Sequence, residues 1–290
     1  MRHLSKPSDK AQRVFLNCIS SITDPDLAKR LRNCVQAIHD ESKTYEDAVA
    51  LNILHTLPQN KSKKANKAIR TLQGQVTINE MQDVYDLCFV PKDSPGRSVY
   101  DSIMSLPQNK KCPYCFHRLV TTLDHYLAKA YYPYLSVTPA NLIPSCKDCN
   151  MGKKKTSFPT SPAEELLHPY FDNIENELWL KAKVIKTSPA ILDFYVDCPT
   201  QWNALLKDRV ENHFNSFELN DLYGAEAAEE LSNISYHLEY QFSEGGAAMV
   251  RKHLTEQALS RSNAFVNSWR TAFYNALAYD DWFCKGGFRI

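Results

Sequence analysis

Four cysteines in two pairs enclose the residues of this chain best suited to chemistry: Cys112-Pro-Tyr-Cys115 and, thirty residues on, Cys146-Lys-Asp-Cys149. Each Cys-x-x-Cys knuckle turns two sulfurs toward a common point, so two knuckles offer four thiolates to one tetrahedral Zn2+. Four thiolates close the coordination sphere and leave no position for water or substrate, so this zinc is expected to be structural. Other groups must then do any chemistry, and Asp124, His125, Asn141 and Asn150 lie inside or directly after the loop that the cysteines close. A carboxylate and a carboxamide oxygen can hold a harder cation such as Mg2+ or Mn2+, and a neutral imidazole can take a proton from water near neutral pH. The chemistry within reach is metal-assisted hydrolysis.

An isolated Asp-His pair is weak evidence, because a histidine is more often a satisfied polar residue than a base. The neighbouring sequence raises its weight. Leu119-Val120-Thr121-Thr122-Leu123 is apolar and β-branched, which predicts a strand that delivers Asp124 and His125 at its end. Asn150 follows a zinc ligand directly, at the start of a helix expected to run through Lys153, Lys154 and Lys155. These lysines read either as a solvated helix end or as contacts to phosphate, and the second reading is preferred. The stretch Leu127–Val137, with tyrosines around a lysine, reads either as the apolar cover of a small module or as a surface that stacks on an exposed base. His117, beside the first knuckle, reads as a surface group or as a support behind the zinc ligands, and His168 has at most a minor part in binding phosphate.

In the flanking sequence, apolar residues at helical spacing predict helices near 8–22, 24–41, 44–57, 62–73 and 76–88, with Asp24 and Thr77 as caps. Val90–Gly96 reads as a loop by its prolines and glycine. Beyond the zinc loop, 179–185 and 191–196 read as two strands joined across Pro189, and helices are expected near 201–217, 224–242 and 246–279. The expected architecture is α+β and mainly helical, with an N-terminal helical region at 1–105, a central zinc-bound module at 106–158 and a mainly helical C-terminal region at 159–290.

The net charge of +1 conceals an uneven distribution. Lys and Arg outnumber Asp and Glu by thirteen to seven in residues 1–73 and by eight to two in 108–155, whereas residues 156–290 carry eleven against nineteen. Phosphates respond to charge within about 8–10 Å in physiological salt, so a basic zinc loop suits a polyanionic partner whatever the total. Lys61, Lys63, Lys64, Lys67 and Arg70 form a further basic run that reads equally as a solvated face. No apolar run reaches the roughly 20 residues a membrane span needs, and MRHLSKPSDK lacks the core of a secretory signal, so a cytoplasmic protein is expected. The other five cysteines, Cys18, Cys34, Cys88, Cys198 and Cys284, fall in helical or strand-like segments and suit reduced thiols.

The order Cys-x-x-Cys, Asp124-His125, Asn141, Cys-x-x-Cys-Asn150 and then lysines resembles the HNH endonucleases, the ββα-metal or His-Me finger group, in the subset tied by a four-cysteine zinc. The resemblance covers residues 106–158. It implies that His125 is the general base, that Asp124 and Asn150 hold the catalytic divalent metal, and that Asn141 fixes the loop that orients His125. It further implies hydrolysis of DNA to 5′-phosphate and 3′-hydroxyl ends, with Lys153, Lys154 and Lys155 on neighbouring phosphates. The last metal position is His or Asn in this group, and Asn150 leaves the metal two protein ligands. Such modules occur in restriction, homing, toxin and anti-phage defence nucleases. Bacterial defence is preferred here, with a partner ATPase or other defence-system subunit, because the flanks lack a recognisable DNA-reading motif. The competing expectation is a zinc-dependent nucleic-acid-binding or scaffold module without catalytic activity.

Overall fold

The computed structural model describes residues 1–60, 70–153 and 158–289, with residues 152 and 153 described by backbone alone. Lys61, Lys63, Lys64, Lys67, Lys154, Lys155 and the Lys153 side chain therefore lie outside the described residues. The chain forms two compact units, Met1–Asn173 and Ile174–Ile290. The class is α+β and mainly helical, with three two-stranded antiparallel sheets among the described residues.

In the first unit α1 (Ala11–Ile19) packs on α3 (Val35–Ala50), with α2 (Pro25–Arg32) between them in sequence. Asp24 caps α2, its Oδ1 accepting from the backbone N–H groups of Asp26 and Leu27 at 2.9 and 3.2 Å. The helix expected over 24–41 is interrupted after Arg32, and α3 continues through the break expected near residue 43. The interruption has a tertiary cause. Cys34 Sγ donates to the Gln73 carbonyl, and Gly74 at φ +73° packs so closely that a Cβ there would lie 2.4 Å from the Arg30 carbonyl oxygen. Around that glycine, β1 (Arg70–Leu72) pairs with β2 (Val76–Thr77), so residues 70–72, expected in a helix, form a strand.

Thr77 opens α4 (Ile78–Cys88) with a reciprocal capping box: its Oγ1 accepts from Glu80 N–H at 3.0 Å, and Glu80 Oε2 accepts from Thr77 N–H at 2.7 Å. Arg30 closes this corner by donating to both Glu80 oxygens at 2.9 and 2.8 Å. After the 90–96 loop, α5 (Arg97–Ser105) leads into the zinc loop, which contains the hairpin of β3 (Thr122–His125) and β4 (Leu142–Ser145). Phe15, Leu31, Ile38, Met81 and Val84 from the helices share one buried cluster with Leu123, Val137 and Leu142 from the hairpin region. The hairpin thus has the helices as its core, and the expected boundaries at 105 and 158 both fall inside the first unit.

In the second unit β5 (Leu180–Ile185) and β6 (Ile191–Val196) pair from Leu180↔Val196 to Ile185↔Ile191. Three helices follow, α6 (Ala204–Ser216), α7 (Leu219–Ala264) and α8 (Trp269–Tyr279). Helix α7 is broken at Gly245 and Gly246, and Gly246 adopts φ +59° and ψ −154°. The two arms fold back on each other, bringing the His237 and His253 rings to 4.4 Å between centroids. A single helix over 246–279 does not form, because Phe265 is extended and Ser268 caps a new helix. Buried Asn267 explains the stop: its Oδ1 accepts from Trp179 and Leu180 N–H at 2.9 and 3.2 Å, and its Nδ2 donates to the Glu177 carbonyl at 2.8 Å. No helix of the described residues is long and apolar enough to cross a membrane.

Candidate functional site

The first knuckle is built by backbone geometry. Asn109 and Lys110 both adopt φ +55°, Cys112 N–H donates to the Arg118 carbonyl at 2.9 Å, and Phe116 N–H, at φ +46°, donates to the Cys112 carbonyl at 2.7 Å. Cys146 follows β4 directly, and Cys149 donates its N–H toward Cys146 Sγ at 3.4 Å from within a short π-helical segment, Asp148–Lys153. The Arg118–Asp148 ion pair at 2.8 Å ties the two knuckles together. The sulfurs of Cys112, Cys115, Cys146 and Cys149 are buried and lie within 4.8 Å of one another. Tetrahedral zinc at about 2.3 Å from each sulfur requires separations of roughly 3.8 Å. The donor set therefore fits structural Zn2+, and burial without a cation would push the Cys112 thiol well above its ordinary pKa.

Asp124 and His125 are the last residues of β3, opposite Ile143 and Leu142 on β4. Asp124 is buried, and one of its oxygens accepts from the Tyr114 hydroxyl at 3.0 Å. Burial, and then the neighbouring carboxylate, hold the Tyr114 hydroxyl well above the usual phenol pKa, so it stays a donor. Because Tyr114 sits between Cys112 and Cys115, the zinc knuckle and Asp124 are mechanically joined. His125 places Nε2 2.8 Å from the Ser136 carbonyl oxygen, and Tyr85 stands edge-on to its ring at 4.4 Å. A carbonyl can only accept, so the neutral ring carries its proton on Nε2 and its acceptor lone pair on Nδ1.

Asn150 donates from Nδ2 to Thr122 Oγ1 at 3.1 Å, which orients the amide beside β3. Asn141 is fully buried in the loop that follows β3. Its Oδ1 accepts from Leu127 N–H at 2.8 Å, and its Nδ2 donates to the Leu127 and Leu135 carbonyls at 3.0 and 3.3 Å. Asp124, His125 and Asn150 line one cavity of about 370 Å³, together with Tyr85, Lys129 and Tyr131.

Other expected positions resolve differently. Tyr132, Leu135 and Val137 are buried as the cover of the module, while Tyr131 remains 41 % exposed. His168 is fully buried: its Nδ1 accepts from Tyr170 N–H at 3.1 Å, and its Nε2 lies 2.8 Å from the Tyr45 hydroxyl. It is a core residue. Sequence reasoning missed Tyr85, Tyr114 and Ser136, which support Asp124 and His125. Tyr114 alone had a local signal, as the aromatic inside a metal knuckle. Tyr85 comes from α4, and Ser136 acts through its carbonyl oxygen, which no residue type announces.

Protein ea31 of Escherichia phage lambda is 30% identical to this chain over 228 residues, an alignment that covers 73% of this chain and 76% of that protein. The chain belongs to the ea31 family. A second relative of this ea31-family chain, Septu protein PtuB of Bacillus thuringiensis, is 41% identical over 75 residues. That match spans 24% of the present chain and 28% of PtuB, so it is a likeness of segments. No family model and no solved structure matches.

Proposed function

We propose that this ea31-family protein is a metal-dependent HNH endonuclease that hydrolyses DNA phosphodiester bonds, acting in anti-phage defence. The observation that carries the reading is the end of β3: a histidine whose proton is held on Nε2 by a main-chain carbonyl, next to a buried aspartate, in one cavity with Asn150. Oxygens of Asp124 and Asn150 fit a hard divalent cation, Mg2+ or Mn2+, which would supply positive charge to the scissile phosphate and the leaving oxygen. His125 Nδ1 accepts a proton from the attacking water as its oxygen bonds to phosphorus. The bond from phosphorus to the 3′ oxygen breaks, and that oxygen takes a proton from solvent, giving 5′-phosphate and 3′-hydroxyl ends. Asn141, through Leu127 and Leu135, keeps the loop that carries Ser136 in register with the His125 ring. Lys153, Lys154 and Lys155 follow Asn150 in sequence and are assigned to flanking phosphates.

The likeness to a Septu protein supports the defence role, and a partner ATPase or other defence-system subunit in the cytoplasm belongs to the same proposal. The test is cleavage of a DNA panel, duplex, nicked, branched and single-stranded, in Mg2+ or Mn2+ by wild type and His125→Ala. Cutting by wild type and its loss by at least about a hundredfold in the variant, as expected for a lost general base, supports the reading. Equal cutting by the two proteins refutes it. Binding with no wild-type cutting of any substrate favours the zinc-dependent scaffold instead.

A further inference from the structure

The cavity beside His125 is roomier and more aromatic than holding a cation and a phosphate requires. Its volume of about 370 Å³ lies within the range of small-ligand sites, about 300–1,000 Å³. Tyr85, Tyr126, Tyr131, Tyr132 and Phe158 are among its lining residues, with Leu123, Leu127 and Leu166. Phosphate gains nothing from such walls, whereas the flat face of a nucleobase does, by about 1–3 kcal/mol per stacked base.

Charge points the same way. Among the described residues the lining holds one lysine, Lys129, and Asp86 already accepts from it at 2.5 and 2.6 Å while its ammonium sits 4.7 Å from the Tyr85 ring centroid. Besides Asp124, Glu164 is the carboxylate of the wall. Its Oε2 accepts from the Thr160 N–H at 2.7 Å and from the Thr160 hydroxyl at 3.0 Å, and these bonds lower its pKa, keeping it ionised. An ionised carboxylate opposes a second phosphate and accepts from the exocyclic amine of a base.

Tyr131 and Phe158 are two of the aromatic residues of this lining. Tyr131 is fixed through its backbone, its N–H donating to the Ala128 carbonyl and its carbonyl accepting from Asn60 N–H, both at 2.9 Å, while the side chain stays exposed. Phe158 lies against Tyr132 at 5.7 Å with 34° between the planes. We propose that this cavity receives one unstacked nucleobase of the strand being cut, stacked on Tyr131 and Phe158, so that the substrate class is DNA with an unpaired nucleotide beside the scissile phosphate. The inference rests on the nuclease reading of His125, since the same cavity must also admit that phosphate.

Two measurements separate its failure from failure of that reading. The first is quenching of a 2-aminopurine placed in a single-stranded oligonucleotide, titrated with zinc-loaded His125→Ala protein without added Mg2+ or Mn2+ and without chelator, so that cleavage plays no part. Quenching is expected, with affinity weakened about five- to a hundredfold by adding Tyr131→Ala or Phe158→Leu, and kept by Tyr131→Phe. The second is cleavage by wild type of a duplex with one unpaired nucleotide, the same duplex with an abasic residue there, and the fully paired duplex. The bulged duplex should be cut at least about tenfold faster than the other two. Equal cutting of all three by wild type, lost in His125→Ala, leaves the nuclease standing and overturns base binding in the cavity. If nothing is cut, the nuclease reading falls and the fluorescence titration alone decides, because absent quenching, or quenching unchanged by Tyr131→Ala, overturns base binding.

Discussion

His125 and Ser136 are joined across the loop that follows β3 by a hydrogen bond of 2.8 Å from the ring Nε2 to a main-chain carbonyl. Their positions differ by eleven in sequence, and the acceptor is a main-chain oxygen rather than a side chain. The backbone path places that oxygen, and Asn141 holds the path through three hydrogen bonds to Leu127 and Leu135.

Asn141→Ala should therefore be costly. It strips partners from a buried N–H and two carbonyls at a fully buried position, for about 2–4 kcal/mol measured by urea unfolding. A loss below about 1 kcal/mol would mean that the loop is held by other means.

Metal content offers a second check. Purified protein should hold a single zinc per chain by elemental analysis, and Cys112→Ser or Cys149→Ser should abolish it, since all four sulfurs converge on one point. Strong chelators should lower the melting temperature of wild type and leave the serine variants unaffected. Full occupancy in either variant would contradict four-cysteine coordination.

Acid should weaken the first unit through Glu80. The Arg30 guanidinium, against the opposing effect of burial and with help from Thr77, lowers the Glu80 carboxyl to about 2. A carboxyl lower in the folded than in the unfolded chain contributes stability that is complete above the unfolded value, about 4.3, and lost as pH falls toward 2. Allowing for solvent screening, the loss should be about 1–2 kcal/mol between pH 5 and 2. Glu80→Gln should flatten that part of a stability profile, and an unchanged slope would exclude the pair as its source.

Two glycines of α7 should respond in opposite directions. Gly246→Ala places a Cβ on a backbone at φ +59°, ψ −154°, which costs about 1–3 kcal/mol despite the open space around it. Gly224→Ala meets only the Leu192 carbonyl oxygen at an ordinary 3.7 Å and should stabilise by about 0.4–1 kcal/mol. Thermal unfolding of the two variants checks both signs.

Short-range patterns were legible in the sequence alone: the two knuckles, the caps at Asp24 and Thr77, the β5–β6 pair, and a strand ending in Asp124-His125. Each is decided by residue types within a few positions, through metal-ligand geometry, hydrogen bonds to exposed helix ends, or side-chain alternation. Tertiary structure alone decided what depends on distant partners. Gln73 and Gly74 moved the helix break to Arg32, Asn267 ended a helix by binding the backbone near residue 179, and Tyr45 took His168 into the core. The cavity belongs to the same class, since Tyr85 of α4, Tyr114 of the knuckle and Ser136 of the loop meet Asp124 and His125 only once the helices supply the hairpin with a core. Local chemistry names the ligands of a site, and packing between segments far apart in sequence sets the orientation, tautomer and walls that give it a task.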